Sequence, residues 1–222
     1  MQPWTTLARV ATAEGALELR QRGPGEMLIV IDGRVLMTSK ERRSEEALAT
    51  LACTPLATAT APRVLIGGLG MAYTLRAALT ALPSSARVTV AELTPEVEAW
   101  CRGPLAPLTD NAIGDRRVRV VIGDVARVIA SAKPASYDAI ILDLYEGPHA
   151  ATQRPDDPFY SPAALARSRA ALAHGGALTV WSEEADDAFA RRFGKAGFAV
   201  ATHRLGSSRT HVVYSGVVVP RA

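Results

Sequence analysis

Cysteine is scarce: Cys53 and Cys101 are the only two in 222 residues. Neither belongs to a C-x-x-C pair or a Cys/His cluster, which excludes a disulfide framework, a structural zinc site and a thiol redox motif. Both are expected as reduced core residues of a cytoplasmic protein. Aromatics are few as well, with three Trp, five Tyr and four Phe. Charge of one sign is also lacking, since 25 Lys and Arg face 22 Asp and Glu for a net +3. The basic residues are scattered, with short clusters such as Arg42-Arg43 and Arg116-Arg117. A stacking platform or basic stripe for nucleic acid is therefore not expected. Long apolar runs are missing too. The longest uncharged stretch, Ala47 to Ala61, contains Pro55 and falls short of the ~20 apolar residues of a membrane span. Met1 to Val10 lacks a basic start and an apolar run, so no secretory signal is expected. The four histidines have no metal-ligand spacing, so no metal is expected. There is no Gly-x-Ser-x-Gly elbow and no Walker loop.

What is present is an ordinary globular composition, 48% apolar and 21% charged. A chain this long buries roughly 70% of the surface its unfolded form exposes, which suffices for one domain and a small appendage. Residues 1–42 carry turn signals between short apolar runs, and Asp32-Gly33 between Leu28-Ile29-Val30-Ile31 and Arg34-Val35-Leu36-Met37 predicts a type I′ hairpin. Residues 43–62 read as a helix capped by Ser44 and ending before Pro55, followed by a linker. Across 63–222, apolar runs alternate with helical stretches. Strands are expected at Val64–Ile66, Val88–Val90, Val118–Val121, Ala139–Leu142, Ala177–Trp181, Phe198–Thr202 and His211–Val219. Repeated β-α-β units of this size imply an α/β fold with a parallel sheet covered on both faces.

Ligands of such sheets sit outside the carboxyl ends of the strands, so the residue after each strand carries the chemistry. The first strand enters Gly67-Gly68-Leu69-Gly70, where glycine lets backbone approach a ligand. Glu92 ends the second strand, 22 residues after Gly70, at the place of a ribose-binding acid. Asp124 ends the third, as a helix cap or as an acceptor for an adenine amino group. Asp143 ends the fourth, in Asp143-Leu144-Tyr145-Glu146-Gly147-Pro148-His149. Four successive strands thus end in a glycine loop, Glu, Asp and Asp. That series fits adenosine held across the sheet with Asp143 beside a reacting sulfonium, where a carboxylate can stabilise the sulfonium cation, bind an attacking amine or accept its proton.

These residues resemble the spermidine synthase (polyamine aminopropyltransferase) family, a branch of the class I S-adenosylmethionine-dependent methyltransferase superfamily. The likeness runs from about residue 28 through LIVIDGRVLMTS, RVLIGGLG, VTVAELTPEV, DRRVRVVIGD, YDAIILD and DPFYSPAALARSRAALAHGGAL. It implies a Rossmann-like, seven-stranded sheet with the last strand antiparallel and a small N-terminal β unit, and a family-like homodimer. It also implies that Gly68 and Gly70 line the amino-acid end of the nucleoside, Glu92 the ribose and Asp124 the adenine, with Val125 beside it among the cofactor-binding residues. By the same resemblance Asp143 takes the catalytic aspartate position; from the residues themselves Glu146 is expected to assist it, and Tyr145 either to shape the acceptor pocket or simply to pack.

The chain departs from the family at three places. The aspartate of the family's glycine loop is replaced by Met71, the loop after the fourth strand lacks its Ser/Thr-Ser/Thr-Asp-Pro, and the family's Tyr-His-Glu becomes Arg43-Ser44-Glu45 or Ser44-Glu45-Glu46. Desolvating a di- or triamine requires paired carboxylates, so the missing acid at Met71 favours ordinary S-adenosylmethionine as donor and methyl or alkyl transfer to a small-molecule acceptor. The alternatives are an aminopropyltransferase using decarboxylated S-adenosylmethionine and a catalytically silent adenosyl-ligand-binding protein.

Overall fold

The computed structural model describes residues 2–145, 147–152, 154–205 and 211–219. The chain opens with four strands, β1 (Thr5–Thr12), β2 (Gly15–Gln21), β3 (Met27–Ile31) and β4 (Arg34–Thr38), paired antiparallel in chain order. Asp32 and Gly33 both have positive φ, 43° and 82°, as a type I′ turn requires. The expected hairpin is therefore the tip of a larger β unit.

Helix α1 (Arg43–Cys53) follows. Ser44, expected as its cap, lies one residue inside the first turn, and Arg42 stands at the cap without a side-chain bond. Glu45 and Glu46 in that turn complement the helix dipole, so the helix starts without a capping hydroxyl and Ser44 is left to bond elsewhere. Pro55 sits in a 3₁₀ turn directly after the helix, as its fixed φ favours.

The rest of the chain alternates strand and helix: β5 (Arg63–Gly67), α2 (Tyr73–Ala81), β6 (Arg87–Glu92), α3 (Pro95–Arg102), β7 (Val118–Ile122), α4 (Val125–Ser131), β8 (Tyr137–Leu142), α5 (Pro162–Ala171), β9 (Leu172–Ser182), α6 (Asp187–Lys195), β10 (Phe198–Leu205) and β11 (His211–Val218). The seven strands order as β10-β11-β9-β8-β5-β6-β7. β11 is antiparallel to both neighbours, and β6, β7, β8 and β9 pair parallel with their neighbours around β5. β9 begins at Leu172 rather than near Ala177, because its register against β8 shifts between Tyr137 and Ala139, opposite the Gly175-Gly176 segment. Glycine tolerates such an irregularity.

The strand residues alternate between two apolar layers. Val64, Ile66, Ala139 and Ile141 belong to one with residues of α1, α2 and α3, and Leu65, Ile140, Leu142 and Leu178 to the other with residues of α4, α5 and α6. Period-two alternation with both faces buried explains the continuous apolar runs in the sequence. Cys53 and Cys101 are free and buried. No helix among the described residues is long and apolar enough to cross a membrane.

This winding places the site. From β5 the chain proceeds to β6 and β7 on one side, then returns to β8 on the other, so β5 and β8 flank the point where strand order reverses. Their carboxyl ends open a crevice there.

Candidate active site

The crevice is built from two touching segments. The Asp143 N–H donates to the Gly67 carbonyl at 2.9 Å, which sets the end of β8 against the glycine loop. Gly68 has φ +87°, and a Cβ there would run into the Asp143 carbonyl oxygen. Only glycine permits both the backbone and the approach. Gly70, at φ +51°, lies under the side chain of Met37 from β4, whose sulfur would be 2.9 Å from a Cβ at that position. The N-terminal β unit is thereby docked on the loop, and the Tyr73 hydroxyl adds a bond to the Ser39 carbonyl at 3.2 Å.

The loop's own N–H groups are largely committed. Gly68 donates to the Ala91 carbonyl at 2.9 Å and Ala72 to the Leu69 carbonyl at 2.7 Å. Leu69 donates to Glu92 Oε2 at 2.9 Å and Met71 to Met37 Sδ at 3.2 Å. The Met71 side chain, at the position of the family's loop aspartate, is fully buried in the core.

Asp143 sits at the mouth of β8. Thr74, in the first turn of α2, donates to its Oδ2 at 2.6 Å. Burial pushes the Asp143 carboxyl up to about 7, the negative charge of Glu45 adds to the rise, and the Thr74 bond opposes it. Glu45 comes from the first turn of α1. Its carboxylate accepts from Ser44 Oγ at 2.6 Å, and Ser44 Oγ also lies 3.2 Å from His211 Nδ1. The His211 ring packs on Trp181 at 5.1 Å between centroids. Trp181, next to the end of β9, is a wall of this cluster, and its buried indole N–H has no protein partner. Glu45, Thr74 and His211 were not singled out as site residues from sequence. His211 had a legible signal, because an antiparallel strand enters the sheet at the edge where parallel strands end.

Glu92 is buried at 8% exposure. Desolvation raises its carboxyl, and N–H bonds from Thr94, Leu69 and Leu93 pull the other way. Its two oxygens already hold Leu69 N–H and Thr94 N–H, the latter at 2.8 Å, and an ionised carboxylate retains further acceptor sites. Asp124 caps α4, accepting the Ala126 N–H at 2.8 Å. Val125 is buried with its methyl carbons against Gly67, 2.8 Å from where a Cβ would stand, so it forms the floor under the start of the loop.

Tyr145 is 42% exposed, with the Arg34 guanidinium 4.9 Å above its ring. Arg34 also pairs with Glu183 at 3.2 Å. The hairpin tip thus reaches both loops at the crevice edge. Glu146 lies outside the described residues. His149, at the end of the loop after Asp143, accepts the Ala151 N–H through Nδ1 at 3.3 Å and so shapes its own turn. Among the described residues no group of three His, Cys, Asp or Glu side chains is arranged to hold a metal.

A doubly wound sheet with an antiparallel last strand, a glycine loop at the switch point and acids at successive strand ends defines the class I methyltransferase-like fold. Comparison with known proteins narrows it. No family model matches the chain. It is 31% identical over 229 residues to polyamine aminopropyltransferase 2 of Streptomyces coelicolor, a match covering 96% of this chain and 39% of that protein. The chain therefore spans about two fifths of the length of that curated relative. Among solved structures it is similar to the spermidine synthase from Thermotoga maritima, with TM-score 0.76, 20% identity and coverage of 96% of this chain and 72% of that one. A spermidine synthase in complex with the transition state analogue AdoDATO gives TM-score 0.74, 19% identity and coverage of 96% and 72%. A probable spermidine synthase from Corynebacterium glutamicum gives 0.66, 21%, 96% and 79%. The fold is spermidine synthase-like, as the sequence motifs implied.

Proposed function

We propose that this chain transfers an aminopropyl group from decarboxylated S-adenosylmethionine to a small linear amine. The observation that carries this is the pairing of Asp143 with Glu45: two carboxylates near enough for one to raise the other suit a polycation. This reverses the preference for methyl transfer drawn from Met71. The loop acid is missing, yet a second acid arrives from α1. The committed N–H groups of the glycine loop also favour a donor without a carboxylate, since ordinary S-adenosylmethionine needs free N–H groups for its own. The likeness to polyamine aminopropyltransferase 2 of Streptomyces coelicolor supports this reading.

The residues present fit such a nucleoside. Glu92 keeps acceptor sites for ribose hydroxyls and Asp124 has a second oxygen for the adenine amino group, while Gly68 holds the loop close against Asp143. The donor supplies a sulfonium-activated carbon, at which displacement by the amine forms the new C–N bond and releases the thioether. The amine arrives as an ammonium. Asp143, poised near neutrality, accepts its proton and orients the nitrogen, and Glu45 balances the remaining positive charge.

Methyl transfer stays as the second reading, favoured by the absence of an acid at position 71. Incubating the protein with 1,4-diaminobutane and either nucleoside decides between them. The proposal expects a triamine and 5′-methylthioadenosine with the decarboxylated donor only. A methylated amine from ordinary S-adenosylmethionine, with no triamine, overturns it. Absence of both products while 5′-methylthioadenosine still binds supports the silent adenosyl-ligand-binding reading.

A further inference from the structure

We propose that His211 and Ser44 form a clamp that holds Glu45 as the second carboxylate of the amine pocket, with His211 acting as a positioning residue for amine binding. This rests on the aminopropyl reading and deepens it. The bond directions follow from proton counting. Ser44 has one hydroxyl proton, and at 2.6 Å it goes to the Glu45 carboxylate, a charge-assisted bond. Its oxygen must then accept from His211 across 3.2 Å, which only an Nδ1–H can do. The clamp therefore needs a proton on Nδ1, and the Trp181 ring packs against the imidazole at 5.1 Å and 56°.

Three elements converge to make this clamp. Ser44 and Glu45 stand in the first turn of α1, His211 begins β11, and Trp181 lies next to the end of β9. Ser44 is buried at 4% exposure, so its bonds are shielded from competition by water. Thr74 ties the clamp to the reacting end: its hydroxyl donates to Asp143 at 2.6 Å and lies 3.5 Å from the Glu45 main-chain oxygen. A lone glutamate in a helix's first turn has several rotamers, most of them pointing to solvent. Held by Ser44, it loses that freedom before the amine arrives, which is how preorganisation raises affinity.

The test is calorimetric titration of 1,4-diaminobutane into protein saturated with 5′-methylthioadenosine, alongside thermal unfolding of each variant. Ser44→Ala, His211→Ala and Glu45→Gln are each expected to weaken diamine binding about tenfold, the scale of losing a hydrogen bond to a charged group, and to leave nucleoside affinity unchanged. His211→Asn, which keeps a donor near the Nδ1 position, is expected to retain diamine affinity within about twofold. In a Glu45→Gln background, His211→Ala is expected to add nothing, because it acts through Glu45. An equal effect of His211→Ala in both backgrounds, or unchanged diamine affinity in the folded single variants, overturns the clamp while leaving the aminopropyl reading in place. Failure of the unsubstituted protein to hold the diamine overturns that reading, and the clamp with it.

Discussion

The Thr74 hydroxyl donates to Asp143 Oδ2 across 2.6 Å, and this bond restrains a carboxyl that its surroundings push upward. Burial is the larger influence and the Glu45 charge the next, and together they hold it at about 7. A donor to the ionised form stabilises that form. Thr74 thus tunes Asp143 from the first turn of the helix that the glycine loop launches, joining the two halves of the crevice.

The pH dependence of transfer tests this tuning. With Asp143 as base, kcat/KM rises with pH as the carboxyl loses its proton, along a lower limb centred near 7. Thr74→Val removes the opposing bond and shifts the limb to higher pH, by roughly half a unit to one unit. Glu45→Gln removes the repelling charge and shifts it to lower pH. A limb that stays in place in both variants removes Asp143 from the role of base.

Asp143→Asn separates catalysis from stability. Turnover falls by about 10² to 10⁴, the range for a lost general base, while 5′-methylthioadenosine affinity changes little. Stability moves the other way. The folded pKa of Asp143 lies above the unfolded one, so ionisation costs nothing below about 4 and costs progressively more as pH rises toward 7. The variant is therefore expected to match the parent near pH 4 and to exceed it above pH 7 by a few kcal/mol, up to about 4, the worth of a shift in which the opposing Thr74 bond is already counted. Chemical denaturation at both pH values provides the comparison, and a gap that is largest at pH 4 contradicts the assignment.

Glu92→Gln places an amide NH₂ against one of two main-chain donors, Leu69 N–H or Thr94 N–H, both within 2.9 Å of the present carboxylate. One buried N–H then loses its acceptor, at a cost of about 1 to 3 kcal/mol. Ribose binding loses a charged acceptor in the same step, so 5′-methylthioadenosine affinity drops about tenfold or more. Unfolding and titration on the same sample distinguish the two. Unchanged nucleoside affinity in a destabilised protein leaves Glu92 a purely structural anchor of the loop.

Much of this arrangement could be read along the chain, and the part that could not has a common cause. The strands of the large sheet, the Asp32-Gly33 turn and the acids at strand ends are local signals: period-two apolar runs, a turn dipeptide and a carboxylate next to each run. Glu45 and Thr74 act on Asp143 and His211 on Ser44 from three other elements, and no spacing in the sequence connects them. Ser44 illustrates the difficulty, since its position before an apolar helix matches a cap, yet the helix begins one residue earlier and leaves its hydroxyl for Glu45. Met71 misled for the opposite reason. Its place in the loop pattern suggested the pocket, but the turn of the backbone at Gly70, φ +51°, and Ala72, φ +64°, accompanies a side chain buried in the core.

Restoring an acid at position 71 tests that last point directly. If the pocket lacked only the family's loop carboxylate, Met71→Asp would improve amine binding. The Met71 side chain, however, is fully buried among apolar neighbours, and a carboxylate there has no cation to meet it. Burying an unpaired charge ranks among the most costly single changes, about 4 kcal/mol or more. Met71→Asp is therefore expected to lower the unfolding midpoint sharply and to give no gain in 1,4-diaminobutane affinity, whereas Met71→Leu, close in volume and apolar, costs less than about 1.5 kcal/mol. A stable Met71→Asp protein with tighter diamine binding would show that the loop, and not Glu45, is where this chain's amine pocket takes its second charge.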